Sequence, residues 1–131
     1  MIRVAQHIIE GIILHAKQEF PNEACGYLVG DGDYISQQYP LTNTDHSPEH
    51  FTFDPAEQFE VLRSARNHRL EILGNYHSHP STPARPSEED IRLAYDPKIL
   101  YFILSLAENT PVLKAFRIEN GQVHQVEIKT V

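Results

Sequence analysis

The stretch LEILGNYHSHP, Leu70 to Pro80, opens on Leu70, Ile72 and Leu73 and ends in two histidines and a proline. It reads as a strand running into the histidine pair. Residues two apart on a strand point to the same side, so His77 and His79 stand next to each other and their ring nitrogens can converge on one ion. Pro80 cannot donate to a strand ladder, so the strand ends there. The pair therefore lies at a strand end, where active sites of α/β sheets open. The competing reading is two polar residues leaving a strand, and it is decided by what else the chain offers as ligands.

Working outward, KILYFILSL (98–106) is strongly apolar and bounded by turn signals, the pattern of a central strand covered on both faces. VLKAFRIENGQVHQVEI (112–128) reads as a hairpin turning at Asn120-Gly121, a pair suited to a type I′ turn. Upstream, Val4, Ile8, Ile12 and Ile9, Ile13, Ala16 recur at helical spacing, which predicts an amphipathic helix from residue 4 to about 20, ended by Pro21. ACGYLVG (24–30) reads as a short buried strand, and YISQQYP (34–40) as a second strand at a sheet edge. PLTNTDHSPEH (40–50) is a polar loop, and HFTFDP (50–55) a short strand. Asp54 can cap a following helix that has Pro55 in its first turn. That helix, residues 55–69, is expected to turn Phe59, Leu62 and Ala65 inward. A proline-punctuated loop (80–86) leads into a short helix at SEEDIRLAYD (87–96). Helices interleave with strands and a hairpin closes the chain, so the expected fold is α/β (α+β): one domain, residues 1–131, with a mixed β-sheet flanked by helices.

Composition narrows the function. The 131 residues are enough to bury one core, and 40% are hydrophobic. The formal net charge is −7 and no Lys/Arg run offsets it, which argues against a nucleic-acid partner. Gln6, His7, Glu10 and His15 interrupt the apolar N-terminal stretch, so no signal peptide and no membrane span is expected. A single cysteine, Cys25, excludes an internal disulfide and a Cys-rich zinc site, and suits a reducing cytoplasm.

A zinc site that performs chemistry takes three protein ligands and keeps one position open. Asp90 is the best third candidate, in the first turn of the helix after the proline loop; its neighbours Glu88 and Glu89 point elsewhere around that helix. The competing reading of Ser87–Asp90, SEED, is a capping box, which prefers Glu or Gln to the shorter Asp at its last position. The spacing of Pro80, Pro83 and Pro86 fits either a PxxP ligand or a stiff loop, and a site whose ligands must be held favours the loop. Cys25 is a conceivable nucleophile with a histidine base, but it sits in an apolar strand, as structural thiols do. The H-x-E and P-C-x-x-C signatures of nucleobase deaminases are missing.

The segment HSHPSTPARPSEED, with the pattern H-S-H-P-x6-S-x-x-D, resembles the metal-binding motif of the JAMM (MPN+) metalloproteases, with every position filled. Upstream, NEACGYLVG matches the family's glutamate at Glu23. The element order is similar over nearly the whole chain, and its length resembles the short prokaryotic branch. The resemblance implies a fold like that of cytidine deaminases and a zinc ion on His77, His79 and Asp90. It further implies Glu23 as the group that takes a proton from water and returns one to the leaving amine, and Ser87 as a donor to the oxyanion. It implies a zinc peptidase or isopeptidase cutting an amide bond at the C-terminal tail of a ubiquitin-like, sulfur-carrier protein. The alternative within the family is a non-catalytic MPN scaffold that has lost its ligands. At Asn75 the chain departs from the aromatic or aliphatic residue common in the family. Tyr76 and the loop holding His46 and His50 are the expected tail contacts.

Overall fold

The apolar run at 98–106 becomes β5 (Leu100–Ser105), in which every residue is buried. The computed structural model describes residues 1–131. In chain order the elements are β1 (Ile2–Val4), α1 (Gln6–Glu19), β2 (Cys25–Asp31), β3 (Tyr34–Leu41), α2 (Pro55–Asn67), β4 (Glu71–His79), α3 (Glu88–Arg92), β5, β6 (Val112–Glu119), β7 (Gln122–Val126) and β8 (Ile128–Thr130). All strands belong to one sheet of order β7-β6-β5-β4-β2-β3-β1-β8. It is mixed: β4 runs parallel to β5, and β1 parallel to both β3 and β8, while the other neighbours are antiparallel. β7 and β8 lie at opposite ends of that order, yet only Glu127 separates them in the chain. The sheet must therefore curl round until its two ends meet.

The alternation of side chains along the strands divides the core between the two faces. Leu100, Phe102 and Leu104 of β5, Tyr76 of β4 and Leu28 of β2 meet Ile8, Ile12 and Ala16 of α1. On the other face Cys25 and Val29 of β2 meet Val61 and Ala65 of α2. Further along that face Tyr101 and Ile103 lie under Ile91 and Ala94, in and after α3. His77 and His79 are in phase with this second face, between α2 and α3. The single domain with a mixed sheet and flanking helices agrees with the expectation, as do the central β5 and the β6–β7 hairpin. In that turn both Asn120 (φ 52°) and Gly121 (φ 76°) take the left-handed backbone that a type I′ geometry demands.

Several expectations are corrected. The first helix begins at Gln6, because Ile2–Val4 is a strand too short to show a period of its own. β3 is not an edge strand, since β1 pairs with its first residues. HFTFDP contributes only an isolated bridge, Asn43 to Phe53. On α2 the buried residues are Val61 and Ala65, while Phe59 is 64% exposed and Leu62 51%. The inner stripe was hidden because it is partly polar: Gln58 Nε2 donates to Tyr27 Oη (2.9 Å), and Ser64 Oγ bonds Tyr39 Oη (2.8 Å). Asp54 caps the helix through the Ala56 amide as expected (2.9 Å). Tyr76 is not a surface residue. Its ring is buried under α1 and its hydroxyl bonds His15 Nδ1 (2.6 Å) and Gln38 Nε2 (3.0 Å).

Candidate metal centre

Strand spacing brings the two imidazoles together at the end of β4, both almost sealed from solvent. His77 Nε2 and His79 Nε2 lie 3.2 Å apart, and Asp90 Oδ2 sits 3.2 Å from the first and 3.1 Å from the second. Three potential donor atoms thus form a nearly equilateral triangle, a group that could hold a metal ion. His79 Nδ1 lies 2.9 Å from the carbonyl of Pro83. A carbonyl only accepts, so Nδ1 carries a proton and Nε2 faces the triangle, where it donates to Asp90 when the ring is protonated and offers a lone pair to a cation when it is neutral. Burial disfavours the His79 imidazolium, but Asp90 and the Pro83 carbonyl outweigh it and its pKa is raised. Burial likewise works against the Asp90 carboxylate, yet the hydrogen bonds from His77 and His79 hold its pKa well below the usual range.

The loop between the ligands is fastened to the sheet. Ser105 Oγ donates to the Thr82 carbonyl (2.6 Å), and the Leu106 amide donates to that of His79 (3.0 Å). Ser87 then caps α3. Its Oγ accepts from the Asp90 amide (3.0 Å), and its own amide donates to Asp90 Oδ2 (2.9 Å). The capping box and the ligand group are therefore both present, and they share one oxygen. A carboxylate oxygen accepts more than one bond, and the short reach of Asp90 does not prevent closure. Glu89 pairs with Arg92 (3.7 Å) instead of joining the histidines.

Glu23 lies two residues before β2, in the segment alongside the histidines, since Cys25 is in register with His77. It is only 3% exposed, and Oε1 has no hydrogen-bond partner. Burial, then the charges of Asp90 and Glu89, push its pKa up to about 9. Its backbone is fixed by the Ser47 carbonyl (2.8 Å) and by Asn43 Nδ2 (3.1 Å). The next residue is tied to β4 twice: the Ala24 amide donates to Ser78 Oγ (2.8 Å), and the Ser78 amide donates to the Ala24 carbonyl (3.0 Å). Ser78, between the two histidines, escaped the reading of the sequence. Its signal was its phase, opposite to theirs on the same strand. Phe51 was also missed; its ring stacks on His77 with centroids 4.8 Å apart.

The competing residues do not assemble. Cys25 is fully buried, and burial raises its thiol pKa to about 12, so it stays protonated. His50 Nδ1 pairs with Asp45 Oδ2 (2.9 Å), and His46 stands outside the ligand group. No helix is long and apolar enough to cross a membrane.

Residues 5–119 match the family described as prokaryotic homologs of the JAB domain. The chain belongs to this JAB-domain family. The CysO-cysteine peptidase of Mycobacterium tuberculosis is 32% identical over 127 residues, spanning 95% of this chain and 87% of that protein. The probable TtuB-protein conjugate cleaving protease of Thermus thermophilus is 30% identical over 123 residues, spanning 93% and 79%. A Desulfitobacterium hafniense protein solved in solution superposes with a TM-score of 0.92 at 48% identity, over 100% of this chain and 93% of that one. In this JAB-domain protein the fold places His77, His79, Asp90, Glu23 and Ser87 at one end of the β2–β4 pair.

Proposed function

We propose that this JAB-domain protein is a zinc-dependent peptidase of the JAMM type, cutting an amide or isopeptide bond at the C-terminal tail of a ubiquitin-like sulfur-carrier protein. The observation that carries this reading is the triangle of donor atoms with sides of 3.1–3.2 Å. Donors roughly 2.0–2.1 Å from zinc in a tetrahedral arrangement stand about 3.3 Å apart. The triangle matches that spacing within about 0.2 Å, and two nitrogens with one oxygen are a donor set zinc accepts. The names of the related peptidase and conjugate-cleaving protease support the reaction and the kind of substrate.

His77 Nε2, His79 Nε2 and Asp90 Oδ2 would hold a zinc ion, which would supply Lewis acidity and bring the pKa of a water down toward ~7. The protein's own groups do the rest. The Pro83 carbonyl fixes the His79 tautomer, and the Ser87 amide orients Asp90. Glu23 accepts a proton at its carboxylate as water attacks the carbonyl, and delivers one to the departing amine. Burial beside Asp90 keeps Glu23 protonated in the metal-free chain; a positive charge in the triangle favours its carboxylate form. Ser87 uses an Oγ lone pair as acceptor for its cap, so its hydroxyl hydrogen stays free to meet the oxyanion. Capping and oxyanion stabilisation therefore do not compete. The non-catalytic scaffold is disfavoured because no ligand of the set has been lost.

The test is hydrolysis of a sulfur-carrier fusion whose tail is amide-linked to a reporter. The expected result is cleavage after the tail, abolished by a chelator and restored by zinc. Cleavage that continues undiminished in excess chelator, or no cleavage with the zinc-loaded protein, overturns the proposal.

A further inference from the structure

Asn75 is in phase with His77 on β4, on the same face of the sheet. Its Oδ1 is buried and has no hydrogen-bond partner. The buried unpartnered side-chain atoms of this protein are Glu23 Oε1, His77 Nδ1 and Asn75 Oδ1. Glu23 and His77 belong to the proposed reaction centre, so the third orphan invites the same question. An unmet buried polar group is destabilising, and a leucine of similar size would avoid that cost. Two cavities meet at this residue. The smaller, about 50 Å³, reaches His77 and Asp90. The larger, about 550 Å³, runs out between α2 and the segment after α3. Phe51, Asn75, Leu93 and Tyr101 line both. The junction is apolar apart from the Asn75 carboxamide and the Tyr101 hydroxyl, and the latter is engaged with the Asp96 carbonyl (2.9 Å) and amide (3.1 Å).

We propose that Asn75 is a specificity-determining residue: its carboxamide pairs with the backbone of the extended substrate tail, next to the residue whose carbonyl is attacked. This rests on the peptidase reading above. A peptide backbone offers a donor and an acceptor, and a carboxamide is its complement, accepting at Oδ1 and donating at Nδ2. Rotation about the terminal side-chain torsion lets either end face the groove. Side chains have little room in the inner cavity, so the backbone of a glycine-like residue is the group that can reach this far.

The test is an enzyme–substrate cycle on zinc-loaded protein. The probe is a short peptide ending in two glycines, with a free carboxylate for binding and a fluorogenic amide for hydrolysis. Its partner is the depsipeptide in which an ester oxygen replaces the backbone N–H one residue before the terminal glycine. Wild type is expected to bind and cleave the peptide roughly tenfold better than the depsipeptide, the scale of one hydrogen bond. Asn75→Leu is expected to keep wild-type zinc affinity and at least wild-type resistance to urea. It should lose roughly tenfold on the peptide and show no preference between the two probes. An Asn75→Leu variant that keeps the wild-type preference, or a wild type with no preference or no binding, overturns the inference. Hydrolysis without dependence on Asn75 leaves the peptidase reading standing; tight, Asn75-dependent binding with no hydrolysis sinks the peptidase reading alone.

Discussion

Glu23→Gln should make the chelator-treated protein more stable, and increasingly so as pH rises. The Glu23 side chain is buried without a partner for Oε1, and its pKa is raised from 4.5 to about 9. The folded state therefore holds this proton more tightly than the unfolded chain does. Below the unfolded pKa both states are protonated and the group has no effect. As pH climbs through the interval between the two pKa values, the unfolded chain ionises and the folded one does not, so stability falls by about 1.4 kcal/mol per pH unit. At pH 7 that amounts to about 3 kcal/mol, which glutamine avoids because it never ionises. The depressed pKa of Asp90 acts in the opposite direction but is common to both proteins, so most of it cancels in the difference. Urea unfolding at pH 5, 6, 7 and 8 reads the effect directly. A change of 3 kcal/mol moves the urea midpoint by about 1–3 M at ordinary m-values. A wild-type-to-variant difference that stays flat across this pH range would refute the argument that burial holds Glu23 neutral. The same variant is expected to bind zinc and to lose hydrolysis, and a fully active Glu23→Gln would remove Glu23 from the chemistry.

Asp90→Ala should weaken zinc binding by more than ~100-fold in a calorimetric titration, exceeding the loss typical of a residue that merely supports a ligand; unchanged affinity would leave SEED as a cap and nothing more. Ser87→Ala removes the acceptor of the Asp90 amide and should cost about 1 kcal/mol in urea unfolding. It should also lower kcat about 100-fold with KM little changed, and a stability loss without a kcat effect would confine Ser87 to capping. Val61→Ala should cost about 2 kcal/mol whereas Phe59→Ala stays within about 0.5 kcal/mol, as judged by denaturant midpoints; the reverse order would mean that α2 presents its other face to the sheet.

The parts of the architecture visible in the sequence were those carried by repetition or by special backbone chemistry. β5 announced itself as an unbroken apolar run, Asn120-Gly121 as a turn, and Asp54-Pro55 as a helix start. The histidine pair was legible because a period of two on a strand translates directly into shared orientation. Asp90 was legible as a first-turn acid whose neighbours Glu88 and Glu89 point elsewhere around the helix. What stayed hidden depends on partners distant in the chain. β1 and β8 are each three residues long and exist because they pair with one another and because β1 also pairs with β3. The inner face of α2 was misread because tyrosine hydroxyls across the interface select Gln58 and Ser64, which an apolar pattern cannot reveal. The Pro83 carbonyl that sets the His79 tautomer is a backbone atom, and the sequence gives no sign of where it points. Cap and proposed ligand do not exclude one another in SEED, because the Asp90 oxygen that closes the capping box also lies beside both histidines.

The tripeptide His77-Ser78-His79 has a further consequence. Its odd positions face the proposed metal triangle, and its middle residue reaches behind the strand to grip the chain one residue after Glu23. Separation between the proposed base and the two histidines is thus set by the pitch of two neighbouring strands and by the two residues that precede β2. Such a gauge is portable. Written into the end of another antiparallel strand pair, with a glutamate just ahead of the partner strand, the same three residues would carry their own spacing with them. An engineer would then need to supply only the third ligand.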